Sequence, residues 1–302
     1  MAVIPGLPVE CFRLPPLAPR VGPFPHRDFL VAWWEQFNFG TEIMVVANEG
    51  GTLPLMKTGD RFQVLGDSDL TDYHSPLGRD MDGITGELLR TTSQSSILDL
   101  DSLPIEAAEP LAASLGGRGL RTKVSAQVIA MVLALPPTVD EYYGMISARE
   151  RHELRRKRRR YEEQIGPAVL RTYFGGGFGF DEFVRLHRLA PGDKGGFLTG
   201  ARWEFFARLA AQEGWRVDLL EHRGAATACL FGWSDGSDYY LYNSSFDPRL
   251  QATSPGLVLL TAMIEYAIDQ RWGVFDFLKG DEAYKKRLGA QPRQLFRVEA
   301  WR

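Results

Sequence analysis

The stretch from residue 216 to residue 278 constrains the fold more than any other part of the sequence. Three runs with strand character, 216–221, 225–233 and 239–244, are joined only by the turns HRG and SDGSD. Connections this short force antiparallel neighbours. A helix follows over 256–271, with Leu257, Leu260, Ile264, Ala267 and Ile268 forming one apolar stripe. The strand 274–278, VFDFL, comes next. A strand, helix and strand in succession make a right-handed parallel crossover. One sheet must therefore hold both antiparallel and parallel pairs, with helices on its faces: a mixed α/β (α+β) class.

The flanking sequence extends the pattern. A long helix is predicted over 139–164, then a strand (168–173), the glycine loop GGGFG, a helix from Asp181 and another over 201–213. A short helix over 281–288 and a last strand over 294–301 close the chain. The first half reads as a shorter version of the same order. It has an aromatic helix over 26–39, β-like runs at 43–47, 53–57 and 62–65, and further strands at 96–100 and 123–132. Pro136 and Pro137 break the chain after these. The expected domains are a proline-rich arm (1–25), a domain over 26–136, and a second over 137–302 beginning with the long helix 139–164.

Composition narrows the functional classes. A net charge of -3 gives no global reason to expect a nucleic-acid or membrane partner. No stretch reaches the roughly 20 apolar residues of a membrane helix, so no membrane insertion is expected. The proline-crowded N-terminus has neither the basic nor the apolar region of a secretory signal. Two distant cysteines, Cys11 and Cys229, make no disulfide framework, and the five histidines show no metal-ligand spacing. The expectation is a cytoplasmic protein without a metal.

Chemistry concentrates between Ser254 and Lys285. Ser254 suits an N-cap and Pro255 the first helical position. The helix starts where a strand has just ended, and its N–H groups and dipole suit a phosphate. An ordinary helix start with no ligand fits the same residues. Gln251, Ser254 and Gly256 fall on the spaced positions of a Gln/Arg-x-x-Gly-x-Gly/Ala motif, with Ser254 replacing the first glycine. In this the chain resembles the GNAT acyltransferases. The wider pattern, SPGLVLL followed by FDFLKGDEAYK, resembles the acetyltransferases associated with cellulose biosynthesis (CelD/BcsL-like), which are related to the two-domain Fem-type aminoacyl transferases.

This resemblance implies two tandem GNAT-like domains, each a mixed, mostly antiparallel sheet, with acetyl-CoA or another acyl-CoA as cosubstrate. The pyrophosphate would sit at Gln251, Ser254, Gly256 and Leu257. The pantetheine arm would pair with a splayed strand edge formed by Tyr240, Leu241, Tyr242, Asn243 and Ser244. Tyr284 matches the tyrosine that protonates the departing thiolate. Asp281 and Glu282 are candidates to take the acceptor's proton, although Asp281 fits a helix cap equally well. Asp276 and Asn243 are candidate substrate contacts. Asp72, Tyr73 and His74 lie on a loop of the first half that would face the same cleft.

Two other features leave alternatives open. The run SARERHELRRKRRRYEEQ offers arginines over 149–160 to RNA or another anionic partner; it fits equally a solvated helix whose glutamates supply i,i+3 and i,i+4 partners. GGGFGF lacks the spacing and lysine of a P-loop and reads as a mobile loop near the acceptor cleft or as a plain connector. The expected activity is direct, metal-free acyl transfer to an amine or hydroxyl of a small molecule or saccharide. A Fem-like transferase using aminoacyl-tRNA and a non-catalytic binding protein on the same scaffold are the alternatives.

Overall fold

The computed structural model describes residues 7–38 and 40–302. The chain divides into two compact units, Met1–Ala130 with Arg293–Arg302, and Met131–Pro292. The expected single boundary at 136 is thus replaced by two crossings, because the last ten residues return to the first unit.

In the first unit, α1 (Arg27–Phe37) buries Phe29, Leu30, Trp33 and Phe37. Its indole fixes the following loop, Trp33 Nε1 donating to Asp67 Oδ2 at 2.8 Å. Phe39, where this helix was expected to end, lies outside the described residues. The strands are β1 (Glu42–Asn48), β2 (Gly51–Thr58), β3 (Arg61–Val64), the short β4 (Leu77–Gly78), β5 (Ile97–Pro104) and β6 (Arg121–Ala134). The helices α2 (Met81–Thr91) and α3 (Ile105–Gly117) lie between them. β1, β2 and β3 pair antiparallel, and β3 pairs with β5 in parallel. The described part of the N-terminal arm is packed rather than loose. Leu17 N–H donates to the Pro76 carbonyl, and Val21 and Phe24 are buried. Residues 1–6 of the arm lie outside the described residues.

The second unit opens with two helices where one was expected. α4 (Val139–Met145) and α5 (Ala148–Gln164) break at Ile146 and Ser147 because Ser147 caps α5, its hydroxyl accepting from Glu150 N–H at 3.2 Å. Then follow β7 (Val169–Phe174), α6 (Phe178–Leu189), the single turn α7 (Asp193–Gly196), α8 (Ala201–Ala210), β8 (Trp215–His222), β9 (Ala225–Ser234) and β10 (Asp238–Phe246). The unit continues with α9 (Pro255–Asp269), β11 (Val274–Lys279) and α10 (Ala283–Arg287). The closing strand β12 (Gln291–Trp301) pairs antiparallel with β5. As the turn lengths require, β8, β9 and β10 pair antiparallel in succession; β7 also pairs antiparallel with β8, and β10 and β11, joined through α9, are parallel.

Strand alternation gives the strands of the second unit two different faces. Trp215, Phe231 and Tyr242 pack with Phe183 of α6 and Phe206 of α8 in an aromatic layer. The opposite face, toward α9, buries a charge. Arg216 donates to Asp218 at 2.6 Å and to Thr172 at 2.7 Å, and the Tyr239 hydroxyl donates to Asp218 at 2.9 Å. The guanidinium also lies 5.4 Å from the rings of both Tyr266 and Trp272. Asp218 is fully buried and Arg216 only 4% exposed, so neither charge tolerates losing its partner. Asp218→Ala should therefore destabilise the protein by about 3–5 kcal/mol, the cost of an uncompensated buried charge, as read by urea unfolding; a change below 1 kcal/mol would show that water reaches the pair.

Candidate active site

The site is built where β10 and β11 part. Their parallel pairing covers only Asp238↔Val274, Tyr239↔Phe275 and Tyr240↔Asp276, although β10 runs on to Phe246. Two local causes separate them. β10 carries a bulge against β9 between Leu241 and Asn243, which leaves Tyr242 as the extra residue and bends the strand. β11 turns away at Leu278, whose φ of 59° is left-handed; Asp276 Oδ1 holds that turn by accepting from Leu278 N–H at 2.7 Å. From Leu241 onward, β10 therefore presents an edge with no partner strand on that side.

The expected edge residues divide accordingly. Leu241, Tyr242, Asn243 and Ser244 lie beyond the parting, whereas Tyr240 is still paired with Asp276 and buried. Asp276, expected to reach a cleft, is fully buried and spends a carboxylate oxygen on the β11 turn.

After β10, Asp247 accepts from Arg249 N–H at 3.0 Å and starts a 3-10 turn, Pro248–Thr253. Ser254 then adopts φ 53° and ψ 50°, and α9 begins at Pro255. Ser254 holds the N-cap position, but its hydroxyl makes no capping bond. Its carbonyl instead receives the N–H groups of Leu257 and Val258 at 3.1 Å. The left-handed conformation explains why the matching motif position favours glycine. A side chain at Gly256 would meet only the Phe246 ring, at an ordinary 3.5 Å, so packing within the chain does not demand glycine there. Gln251 is exposed, its carbonyl accepting from Ser254 N–H at 3.0 Å.

The GDEAYK string folds around a buried lysine. Lys285, 3% exposed, donates to the carbonyls of Lys279 at 2.8 Å and Gly280 at 3.2 Å, and pairs with Glu282 at 2.8 Å. The turn at Gly280, φ 104°, seats the Glu282 carboxylate where a Cβ would clash. Glu282, rather than Asp281, is the residue before α10, and neither side chain caps it; Asp281 is exposed and 3.8 Å from Lys286. Tyr284 packs edge-on against Phe277, and its hydroxyl has no hydrogen-bond partner among the described residues. Burial, reinforced by the Glu282 charge, pushes its pKa up to about 12.

Other expected residues sit elsewhere. Tyr73 and His74 do not face a cleft: both are buried in the first unit. Tyr73 packs against Phe24 under the Arg293 guanidinium, and His74 Nδ1 lies 3.1 Å from Asp101 Oδ1. The Nδ1 side of the imidazole is thus held, while its Nε2 is buried without a hydrogen-bond partner among the described residues. Asp72 beside them is half-buried. Most arginines of α5 have partners within the second unit: Arg151 the carbonyl of Tyr143 at 2.6 Å, Arg156 Glu153 at 2.8 Å, and Arg158 Glu265 at 2.9 Å. GGGFG connects β7 to α6, with Gly175 and Gly177 at positive φ.

One residue escaped the sequence reading. His187 of α6 is fully buried, with Nε2 2.8 Å from Asn243 Oδ1. No spacing rule points to it, because its partner lies 56 residues away on another element. Burial, aided by the charge of Lys194, lowers its pKa to about 4, outweighing its hydrogen bonds to Phe183 and Asn243. Among the described residues no group of three or more His, Cys, Asp or Glu side chains is placed to hold a metal ion, and no helix is long and apolar enough to cross a membrane.

Residues 148–286 match the family model of the acetyltransferase (GNAT) domain. No curated protein matches the sequence. Solved structures share the fold over most of the chain. A conserved protein of unknown function from Bacteroides thetaiotaomicron has a TM-score of 0.63 at 11% identity, covering 94% of this chain and 92% of its own. FemX has a TM-score of 0.58 at 11% identity, covering 88% and 90%. The C-terminal domain of a putative lysylphosphatidylglycerol synthetase from Agrobacterium fabrum has a TM-score of 0.55 at 9% identity, covering 87% and 84%. The chain thus shares the fold of these structures, and within its second unit residues 148–286 match the GNAT domain.

The buried imidazole couples stability to pH. Unfolded, His187 titrates near 6.5; folded, near 4. Between these values the unfolded chain binds more protons, so stability is complete above pH 6.5 and declines as pH falls toward 4. The decline should approach 3 kcal/mol, at about 1.36 kcal/mol per unit. Urea unfolding at a series of pH values should show it, and His187→Gln should flatten that part of the profile.

Proposed function

We propose that the second unit binds an acyl-CoA, acetyl-CoA foremost, and transfers the acyl group directly to an amine or hydroxyl acceptor. The observation that carries this reading is the parting of β10 and β11 after Tyr240 and Asp276, beside a helix start. A pantetheine arm carries amides spaced to hydrogen-bond a strand edge, and the edge from Leu241 to Ser244 lacks a strand partner. The start of α9 offers N–H groups and a positive dipole end to the pyrophosphate, with Gln251, Ser254, Gly256 and Leu257 around it. The small side of Gly256, unneeded for packing, leaves room for close approach.

In this reading the acceptor's lone pair attacks the thioester carbonyl, the new C–N or C–O bond forms, and the C–S bond breaks. A backbone N–H of the open edge, other than that of Ser244, which Asn243 Oδ1 already accepts, stabilises the oxyanion. Tyr284, raised to about 12, stays protonated at neutral pH and supplies a proton to the departing thiolate. Asp281 and Glu282, exposed before α10, are the carboxylates available to take the acceptor's proton. A small molecule or saccharide is the acceptor class implied by the SPGLVLL and FDFLKGDEAYK resemblance.

A second reading has comparable support. The fold is shared with FemX and with the lysylphosphatidylglycerol synthetase domain, and a Fem-like enzyme would take its acyl group from aminoacyl-tRNA. The exposed arginines Arg149, Arg155, Arg159 and Arg160 of α5 would then meet RNA phosphates.

Two titrations separate these readings. Calorimetry should show acetyl-CoA and CoA binding below millimolar concentration, with no salt-dependent binding of tRNA; the opposite pair of results would favour the aminoacyl-tRNA reading. With an acceptor in hand, Tyr284→Phe should lower kcat by about 10²–10⁴-fold, the range of general acid catalysis, while CoA affinity holds. Equal turnover would remove Tyr284 from the mechanism.

A further inference from the structure

The buried contact between α6 and β10 has a polarity that the surrounding hydrogen bonds determine. Ser244 N–H donates to Asn243 Oδ1 at 2.7 Å, which fixes the oxygen end of the carboxamide. Reversing the amide would set two N–H groups against each other. His187 Nε2, 2.8 Å from the same oxygen, must then be the donor. Oδ1 has two lone pairs, and both are used. Asn243 Nδ2, with two N–H bonds, has no partner among the described residues.

With Nε2 protonated and the ring neutral, His187 Nδ1 is left facing the Phe183 carbonyl at 3.2 Å without a proton to give it. The other tautomer would satisfy Nδ1 and lose Asn243. The ring thus gives up its 3.2 Å contact with a helix carbonyl and keeps the 2.8 Å bond that holds the half-buried amide.

The amide's place in the strand suggests what it serves. The Tyr242 bulge turns Asn243 to the α6 side of the sheet, immediately past the point where β10 loses β11. At the far end of the same edge, Phe246 lies against Gly256 at the α9 start. Asn243 lies three residues back from Phe246, roughly 10 Å at 3.4 Å per residue, so it borders the path of an arm anchored at α9 and laid along this edge.

We propose that Asn243 Nδ2 donates a hydrogen bond to the thioester carbonyl of the bound acyl-CoA, and that His187 is the positioning residue that aims it. This rests on the acyl-CoA reading above. A donor already oriented before reaction gains strength as the carbonyl oxygen becomes an anion.

The test uses two ligands that differ only in that carbonyl. The intact chain is titrated with CoA and with acetyl-CoA, and the ratio of the two affinities is compared among variants, each checked for its thermal midpoint. Asn243→Ala and Asn243→Asp should lower the preference for acetyl-CoA over CoA about fivefold, the worth of one neutral hydrogen bond. His187→Phe should give the same loss although Asn243 is intact, and His187→Gln, which keeps a donor, should restore most of it. CoA binding with an unchanged ratio in both Asn243 variants would overturn this assignment alone. Loss of the ratio in Asn243→Ala but not in His187→Phe would overturn the positioning role. If the parent protein binds neither ligand, the acyl-CoA reading falls and the assignment falls with it.

Discussion

Everything distinctive in the second unit depends on β10 and β11 being hydrogen-bonded for three residue pairs and then not. A parallel pair joined through a helix would ordinarily run together for the length of the shorter strand. Here the extra residue Tyr242 bends one strand, and the left-handed Leu278, tied by Asp276, turns the other. An open backbone edge is costly in a sheet interior unless something replaces the missing strand. The replacement proposed is the amide-bearing arm of an acyl-CoA.

The parts around that opening divide the labour. The aromatic layer of Trp215, Phe231, Phe206 and Tyr242 fixes one face of the sheet. The Arg216–Asp218 pair, closed by Thr172 and Tyr239, fixes the other. Lys285 ties the β11–α10 turn through two carbonyls and the Glu282 carboxylate, so the most recognisable string in the sequence, GDEAYK, is chiefly a turn with a buried fastener. Within it, the Tyr284 hydroxyl has no hydrogen-bond partner among the described residues.

Much of this was legible from residue order. The turns HRG and SDGSD required antiparallel neighbours, the stripe from Leu257 to Ile268 required a buried helix, and VFDFL required a returning strand; all three are present. Local rules erred where a single side chain outweighs periodicity. Ser147 divides one expected helix into two by capping the second. Alternation turns Asp276 away from its neighbouring phenylalanines, but cannot reveal that its carboxylate is consumed by the next N–H but one. The DYH loop looked polar and accessible, yet Tyr73 and His74 are buried because Phe24, Arg293 and Asp101 come to meet them from distant positions.

The sequence by itself determined the element order, the mixed sheet and the place of the helix start at Ser254, because turn length, periodicity and capping act over a few residues. Tertiary structure decided where β10 and β11 part, that the last strand belongs to the first unit, and that His187 meets Asn243. The last two depend on contacts between residues tens to hundreds of positions apart, and the first on a bulge against β9 and on which N–H the Asp276 carboxylate reaches once the chain is folded. No local pattern encodes them.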